Sequence, residues 1–202
     1  MLADLNLRDF AHALADSTPA PGGGSAAAYA GAMAASLCAM VAGLSAQKKG
    51  LEPVWEKMAE TAKSSTQRAE ALTGLVDRDA DAYQEVVRAM RLPKDSEEQK
   101  AARLLAIQAA TILAAEIPLE TLDQCRLLAS DIAFAARSGM PACRTDALVA
   151  ARLALAAMDG AWRNVAVNLD GIKDAQVASG LRERAEAAMA DIRNRLEPLF
   201  AI

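Results

Sequence analysis

Aromatic residues are scarce in this chain of 202 residues, at 3% of the sequence, and glycine and proline occupy only 11 and 7 positions. Aromatic and β-branched residues favour strands, whereas alanine, the commonest residue here, is the best helix former, so sheet-rich folds are disfavoured. A single histidine, His12, excludes histidine-rich metal centres and most Ser-His-Asp machinery. Three cysteines, Cys38, Cys125 and Cys143, form no CxxC pair and read as reduced thiols rather than as a disulfide framework or a zinc site. Basic charge is also short: 22 Lys and Arg against 26 Asp and Glu leave a net charge of -4, which argues against nucleic-acid binding. An anionic small molecule fits only where cations are locally concentrated.

No charge occurs between Ser17 and Gln47. The stretch is mostly Ala, Gly and Ser, a weak lipid-facing surface, so a buried core helix is expected there and no membrane span. Met1 to Asp9 is acidic and lacks the apolar run of a secretory leader, which gives a cytoplasmic expectation. With 53% hydrophobic and 24% charged residues, disorder is excluded.

What is present has helical period. A short amphipathic helix is predicted over about Asn6 to Asp16, broken by the Pro- and Gly-rich segment Ser17 to Gly24. Ser25 is expected to cap the next helix, about Ala26 to Ala46. Its small residues Gly24, Ala28, Gly31, Ala35, Cys38 and Ala42 form a ridge suited to tight packing or dimerisation. A long helix follows Pro53 to about Met90. Ser96 and Gln99 form a capping-box signature for a helix to about Glu116, and Pro118 starts a new helix or kinks a continuing one to about Arg137. Thr145 is expected to cap a helix ending near Leu169, before Gly171. Asp174 opens the last helix, with Val177, Leu181, Met189, Ile192 and Leu196 as its apolar stripe. About seven helices, one of them long, make an all-α, single-domain bundle over residues 1–202.

Three features break the pattern. Leu72, Val76, Tyr83, Val87 and Met90 form an apolar stripe whose missing member is Asp79. A carboxylate on such a stripe costs several kcal/mol unless it is paired or hydrogen-bonded, and its pKa is disturbed. It is either a structural group held by a neighbouring helix or reaching water, or a functional one. Next, Asn164 and Asn168 end the alanine face of a helix apolar on both sides; they need partners, either backbone groups of an adjacent helix or a polar ligand. Third, Pro21, Gly22, Gly23, Gly24 and Ser25 precede a helix N-terminus, where free N–H groups suit an anion or carbonyl, although a tight turn has the same signature. Lys48 and Lys49 end that helix where cations complement its dipole.

These segments carry a resemblance. Ser17-Thr-Pro-Ala-Pro-Gly-Gly-Gly-Ser-Ala-Ala-Ala28, Leu75-Val-Asp-Arg-Asp-Ala-Asp-Ala-Tyr83 and Leu92-Pro-Lys94 are similar to the cyclodeaminase/cyclohydrolase family of folate enzymes. Lys48-Lys49, Ala101-Ala102-Arg103, Ile117-Pro-Leu119, Thr145-Asp146 and Asn164-Val-Ala-Val-Asn168 extend the match in order along nearly the whole chain. Met140-Pro-Ala-Cys143 departs from it, since many members are Asn-rich there.

The resemblance implies an all-helical homodimer acting at the N5/N10 bridge carbon of tetrahydrofolate. The activity is ring closure of formimidoyltetrahydrofolate with loss of ammonia, or hydrolysis of the methenyl bridge; a non-catalytic folate- or partner-binding dimer is the alternative. It assigns Asp79 or Asp146 to cation stabilisation and proton transfer, with Lys94 as a weaker acid/base or tail-binding candidate. Asn164 and Asn168 would orient the pterin or the bridge, the Gly22–Ser25 loop would close over the ring, and Lys48 and Lys49 would meet the glutamate carboxylates. No metal or redox cofactor is implied.

Overall fold

The computed structural model describes residues 1–201 and is all-α. Its helices are α1 (Leu7–Ala15), α2 (Gly23–Ser45), α3 (Trp55–Met90), α4 (Glu97–Ser138), α5 (Arg144–Leu169) and α6 (Ala175–Leu196), with 3-10 turns at Leu2–Asp4, Glu52–Val54, Pro141–Cys143 and Glu197–Phe200. There are thus six α-helices among the described residues, not seven, and two long ones rather than one. The expected helices on either side of Pro118 are a single helix, α4, longer than α3.

The reason lies in a hydrogen bond. Proline has no N–H to give the carbonyl four residues back, which is that of Ala114. Asn168 Nδ2 of α5 donates to that carbonyl at 2.9 Å and takes the place of the missing donor. Pro118 is buried and α4 runs through it.

Two expected caps also shift. α2 begins at Gly23 with Gly22 as its extended N-cap, so Ser25 lies inside the first turn and its hydroxyl is free for another partner. Thr145 likewise lies inside α5, because the 3-10 turn at Pro141–Cys143 leads straight into Arg144. The Ser96–Gln99 capping box and the Asp174 cap form as their sequences predict.

α2 is the centre of the bundle, packed against α3, α4 and α5. It is long and apolar enough to cross a membrane, and half of its most apolar window is buried inside the protein. Its small-residue ridge is what allows the other helices to come so close. A Cβ on Gly31 would stand 3.1 Å from Leu72 and 3.3 Å from Cys125, and one on Gly160 of α5 would meet Ala27 at 2.9 Å. The ridge is therefore consumed by packing within the chain and offers no free surface to a second copy. The alanine face of α5 is buried in the same way, from Ala147 to Ala161, and so is the α6 stripe from Leu181 to Leu196. All three cysteines are free and buried, and burial pushes the thiols of Cys38 and Cys125 up to about 12.

Helix lengths create the remaining feature. At 1.5 Å per residue α4 is about 63 Å long and α3 about 54 Å, against about 35 Å for α2. On α3 the stripe residues Leu72 and Val76 are buried. Beyond Asp79, Tyr83 and Met90 are exposed, because α2 starts beside Asp79 and nothing continues it. The long helices overrun the central one, and the space above its first turn is open.

Removing the donor that serves Ala114 should be costly. Asn168→Ala is expected to destabilise the protein by about 1 kcal/mol, the lower end of the cost of an unsatisfied acceptor, since the Ala114 carbonyl is partly buried. Pro118→Ala restores an N–H to that carbonyl, so Asn168→Ala should cost much less in the Pro118→Ala background. Urea unfolding of the four proteins measures the coupling, and purely additive losses would refute it.

Candidate active site

The space above α2 is a cleft of about 320 Å³. Its floor is the start of α2 at Gly22–Gly24, and the Pro19–Ala20 segment closes one side. α3 contributes Asp79, Tyr83 and Val86, α4 contributes Ala114, and α5 contributes Asn164, Val167 and Asn168.

Asp79 is the only carboxylate in this lining. The buried Ser25 hydroxyl donates to its Oδ2 at 2.9 Å, and the Ser25 backbone N–H also faces it. The unpaired N–H groups and positive dipole end of α2 favour its anion. Burial outweighs these: desolvation raises the Asp79 pKa above the ordinary carboxylate value, with the Ser25 hydrogen bonds opposing. Gly24 explains how the carboxylate comes so near. A Cβ at Gly24 would overlap Asp79 Oδ1, so only glycine admits the side chain to the helix start.

The two asparagines form the facing wall, one turn apart. Asn164 Nδ2 donates to the Gly160 carbonyl at 2.9 Å, and Asn168 Nδ2 to both Ala114 and Asn164 carbonyls. Their NH₂ groups are thus spent on backbone, and no protein donor reaches either Oδ1 among the described hydrogen bonds. Asn164 also touches the floor, since a Cβ on Gly23 would lie 3.5 Å from its Nδ2. Two amide acceptors in the cleft lining are therefore left uncommitted by the described hydrogen bonds.

The fold brings Asp79, Gly22, Gly23, Gly24, Asn164 and Asn168 together at this cleft. Pro21 and Ser25 are buried behind it and support the lining rather than form it. The other candidates lie elsewhere in the chain. Asp146 is in the first turn of α5, about 27 Å along that helix from Asn164. Lys48 and Lys49 are exposed beyond the far end of α2, about 33 Å from Gly23. Gly50 at φ +92, the Glu52 carboxylate on the Gly50 N–H and the Trp55 indole on the Lys48 carbonyl shape that turn. Lys94 is exposed in the α3–α4 loop, past Met90, which is itself about 16 Å along α3 from Asp79. Tyr83, Val86 and Val167 are cleft residues that sequence reasoning placed in core stripes or passed over; the four-residue spacing of Tyr83 from Asp79 was the available signal. Among the described residues no cluster of three or more His, Cys, Asp or Glu is arranged to hold a metal ion.

Comparison with known proteins bears on this site. Residues 6–187 match the family model described as formiminotransferase-cyclodeaminase. The chain is 35% identical over 191 residues to the methenyltetrahydrofolate cyclohydrolase of Methylorubrum extorquens, covering 95% of this chain and 92% of that protein. It is 32% identical over 195 residues to the formimidoyltransferase-cyclodeaminase of Gallus gallus, covering 93% of this chain but 36% of the relative. The chain thus spans about a third of the length of the bifunctional relatives it matches. A crystal structure of formiminotetrahydrofolate cyclodeaminase from Thermotoga maritima superposes with a TM-score of 0.84 at 27% identity, covering 98% of this chain and 99% of the other. With residues 6–187 of the chain matched by the family model and the all-helical fold shared, the chain belongs to the formiminotransferase-cyclodeaminase family.

Proposed function

We propose that this protein is a one-carbon folate enzyme acting at the carbon between N5 and N10 of tetrahydrofolate, and that formimidoyltetrahydrofolate cyclodeaminase is the activity its site fits best. The observation that carries this is Asp79, one carboxylate of raised pKa held by Ser25 in the cleft. Ring closure needs one proton moved between two nitrogens. N10 attacks the formamidinium carbon of the 5-formimidoyl group, and Asp79 takes the N10 proton. Asp79 then returns it to the amino group as the C–N bond breaks, and ammonia leaves the cationic 5,10-methenyl bridge. A single group must be base and then acid, which suits a carboxylate moved towards neutral pH. The Oδ1 atoms of Asn164 and Asn168 accept from the N–H groups of the pterin, and no resident metal or redox cofactor enters the balance.

The cyclohydrolase relative of nearly equal length favours a second reading. There Asp79 takes a proton from water as it adds to the methenyl carbon. The C–N5 bond then breaks, N5 gains the hydroxyl proton and 10-formyltetrahydrofolate results. Incubation with 5-formimidoyl- and with 5,10-methenyltetrahydrofolate separately, following ammonia and methenyl absorbance, decides between them. Binding of both without turnover would refute either enzyme.

Asp146, Lys48 and Lys49 are too far from Asp79 to share its substrate within one chain. Any contact of theirs with a folate in this cleft has to come from a second copy. The proposed homodimer has one apolar surface available on α2, the outward seam of Met33, Leu37, Met40 and Leu44, at 37%, 42% and 51% exposure for Met33, Met40 and Leu44. Its alternating four- and three-residue spacing is that of a helix-pairing seam. Lys94, exposed in the loop after α3, remains the in-chain candidate for the anionic tail.

Asp79→Asn is expected to lower turnover by about a hundredfold or more while keeping the fold. Its stability should also diverge from the parent with pH. The folded state holds the Asp79 proton more tightly than the unfolded chain, so the parent's contribution from this group is full below about pH 3.9. It is lost as pH rises through the raised folded value. Denaturation midpoints measured from pH 3 upward should show the variant gaining on the parent across that window; a constant difference would refute the buried-acid assignment. Gly24→Ala should displace Asp79 and cut turnover nearly as far as Asp79→Asn, whereas Gly74→Ala, with open space at its Cβ, should leave the rate unchanged.

A further inference from the structure

We propose that Tyr83 recognises the positive charge of the substrate, its ring face lying against the formamidinium or methenyl carbon. This deepens the folate reading and rests on it. Tyr83 follows Asp79 by one helical turn on α3, which puts the two side chains on one face with Cβ atoms about 5–6 Å apart. It is the only aromatic residue in the cleft lining, in a chain with two tyrosines, two tryptophans and three phenylalanines. The residue is 39% exposed because α2 starts below it, whereas Val76 on the same stripe is 1% exposed. No described hydrogen bond engages its hydroxyl, so nothing in the protein turns the ring towards another task.

The charges of the cleft leave a gap that this ring fills. The start of α2 presents the positive end of its dipole, which helps the Asp79 anion and opposes a cation. Asp79 itself must carry a proton during the reaction, and while it does so it cannot neutralise the substrate. The lining holds no second carboxylate. The amide oxygens of Asn164 and Asn168 supply dipoles from one wall only. The π face of an aromatic ring is negative at its centre and attracts cations within about 6 Å, more strongly when water is excluded. Val86 and Val167 supply the apolar side chains of the same lining.

The test compares two ligands of one skeleton, cationic 5,10-methenyltetrahydrofolate and 5-formyltetrahydrofolate, whose one-carbon group is neutral. Their dissociation constants are measured in the Asp79→Asn background, where turnover is slowed, and within a time short against the residual rate. Tyr83→Leu should lower the cation-to-neutral affinity ratio by about tenfold, the scale of a partly desolvated cation–π contact. Tyr83→Phe, which keeps the π face, should leave the ratio unchanged. Tyr83→Gln serves as a second non-aromatic variant where the leucine variant does not fold. A ratio unmoved by losing the ring, or a phenylalanine variant as defective as the leucine one, overturns the proposal. Failure of the parent protein to bind either compound would instead remove the folate reading, and this inference with it.

Discussion

One carboxylate set against the first turn of a buried helix governs the active end of this protein. Asp79 can stand there only because Gly24 has no side chain, because Ser25 turns its hydroxyl and N–H outward from α2, and because α2 starts at that level. Each of these is a sequence choice that would be weak in an ordinary helix. A glycine in the first turn sacrifices helix propensity, and a buried serine needs a partner. Together they convert the end of a packing helix into a polar floor. The long α3 and α4 then supply walls that a helix of their own length would have filled.

The opposite wall depends on a second exchange of polar groups. Pro118 removes a donor from α4 and Asn168 supplies one from α5, so a residue that lines the cleft also ties α5 to α4. Site geometry and bundle stability meet in that side chain. The amide is oriented by backbone rather than by ligand, and the acceptor facing the cleft is fixed before anything binds. Such preorganisation lowers the cost of binding, because the group need not be ordered when the substrate arrives.

Much of this was legible in the sequence, and the rest was hidden for physical reasons. Asp79 announced itself by interrupting a stripe, and the paired asparagines by ending an apolar face, since polar groups in apolar periodicity must find partners. The capping box at Ser96 and the cap at Asp174 are local and formed as read. The Ser25 and Thr145 caps did not form, because glycines and a 3-10 turn offered earlier starts and tertiary partners claimed Ser25. Pro118 reads as a new start or a kink because the side chain that compensates it lies fifty residues away in sequence. Asp146 and the Lys48–Lys49 pair join Asp79 only through the family resemblance, which matches positions along the chain and carries no distance. Tyr83 was counted as core because periodicity cannot tell where the helix opposite it stops.

The placement of α2 has a consequence for how the molecule must be made. Its buried faces are shared with α5, and about a hundred residues separate the end of one from the start of the other. At ribosomal rates of about 5–20 residues per second, the charge-free helix emerges roughly 5–20 s before its last neighbour exists. During that interval it is the most adhesive segment of the nascent chain. Burial of α2 waits on α5, so the growing polypeptide depends on shielding of α2, by α3 and α4 or by a chaperone, until synthesis reaches Leu169.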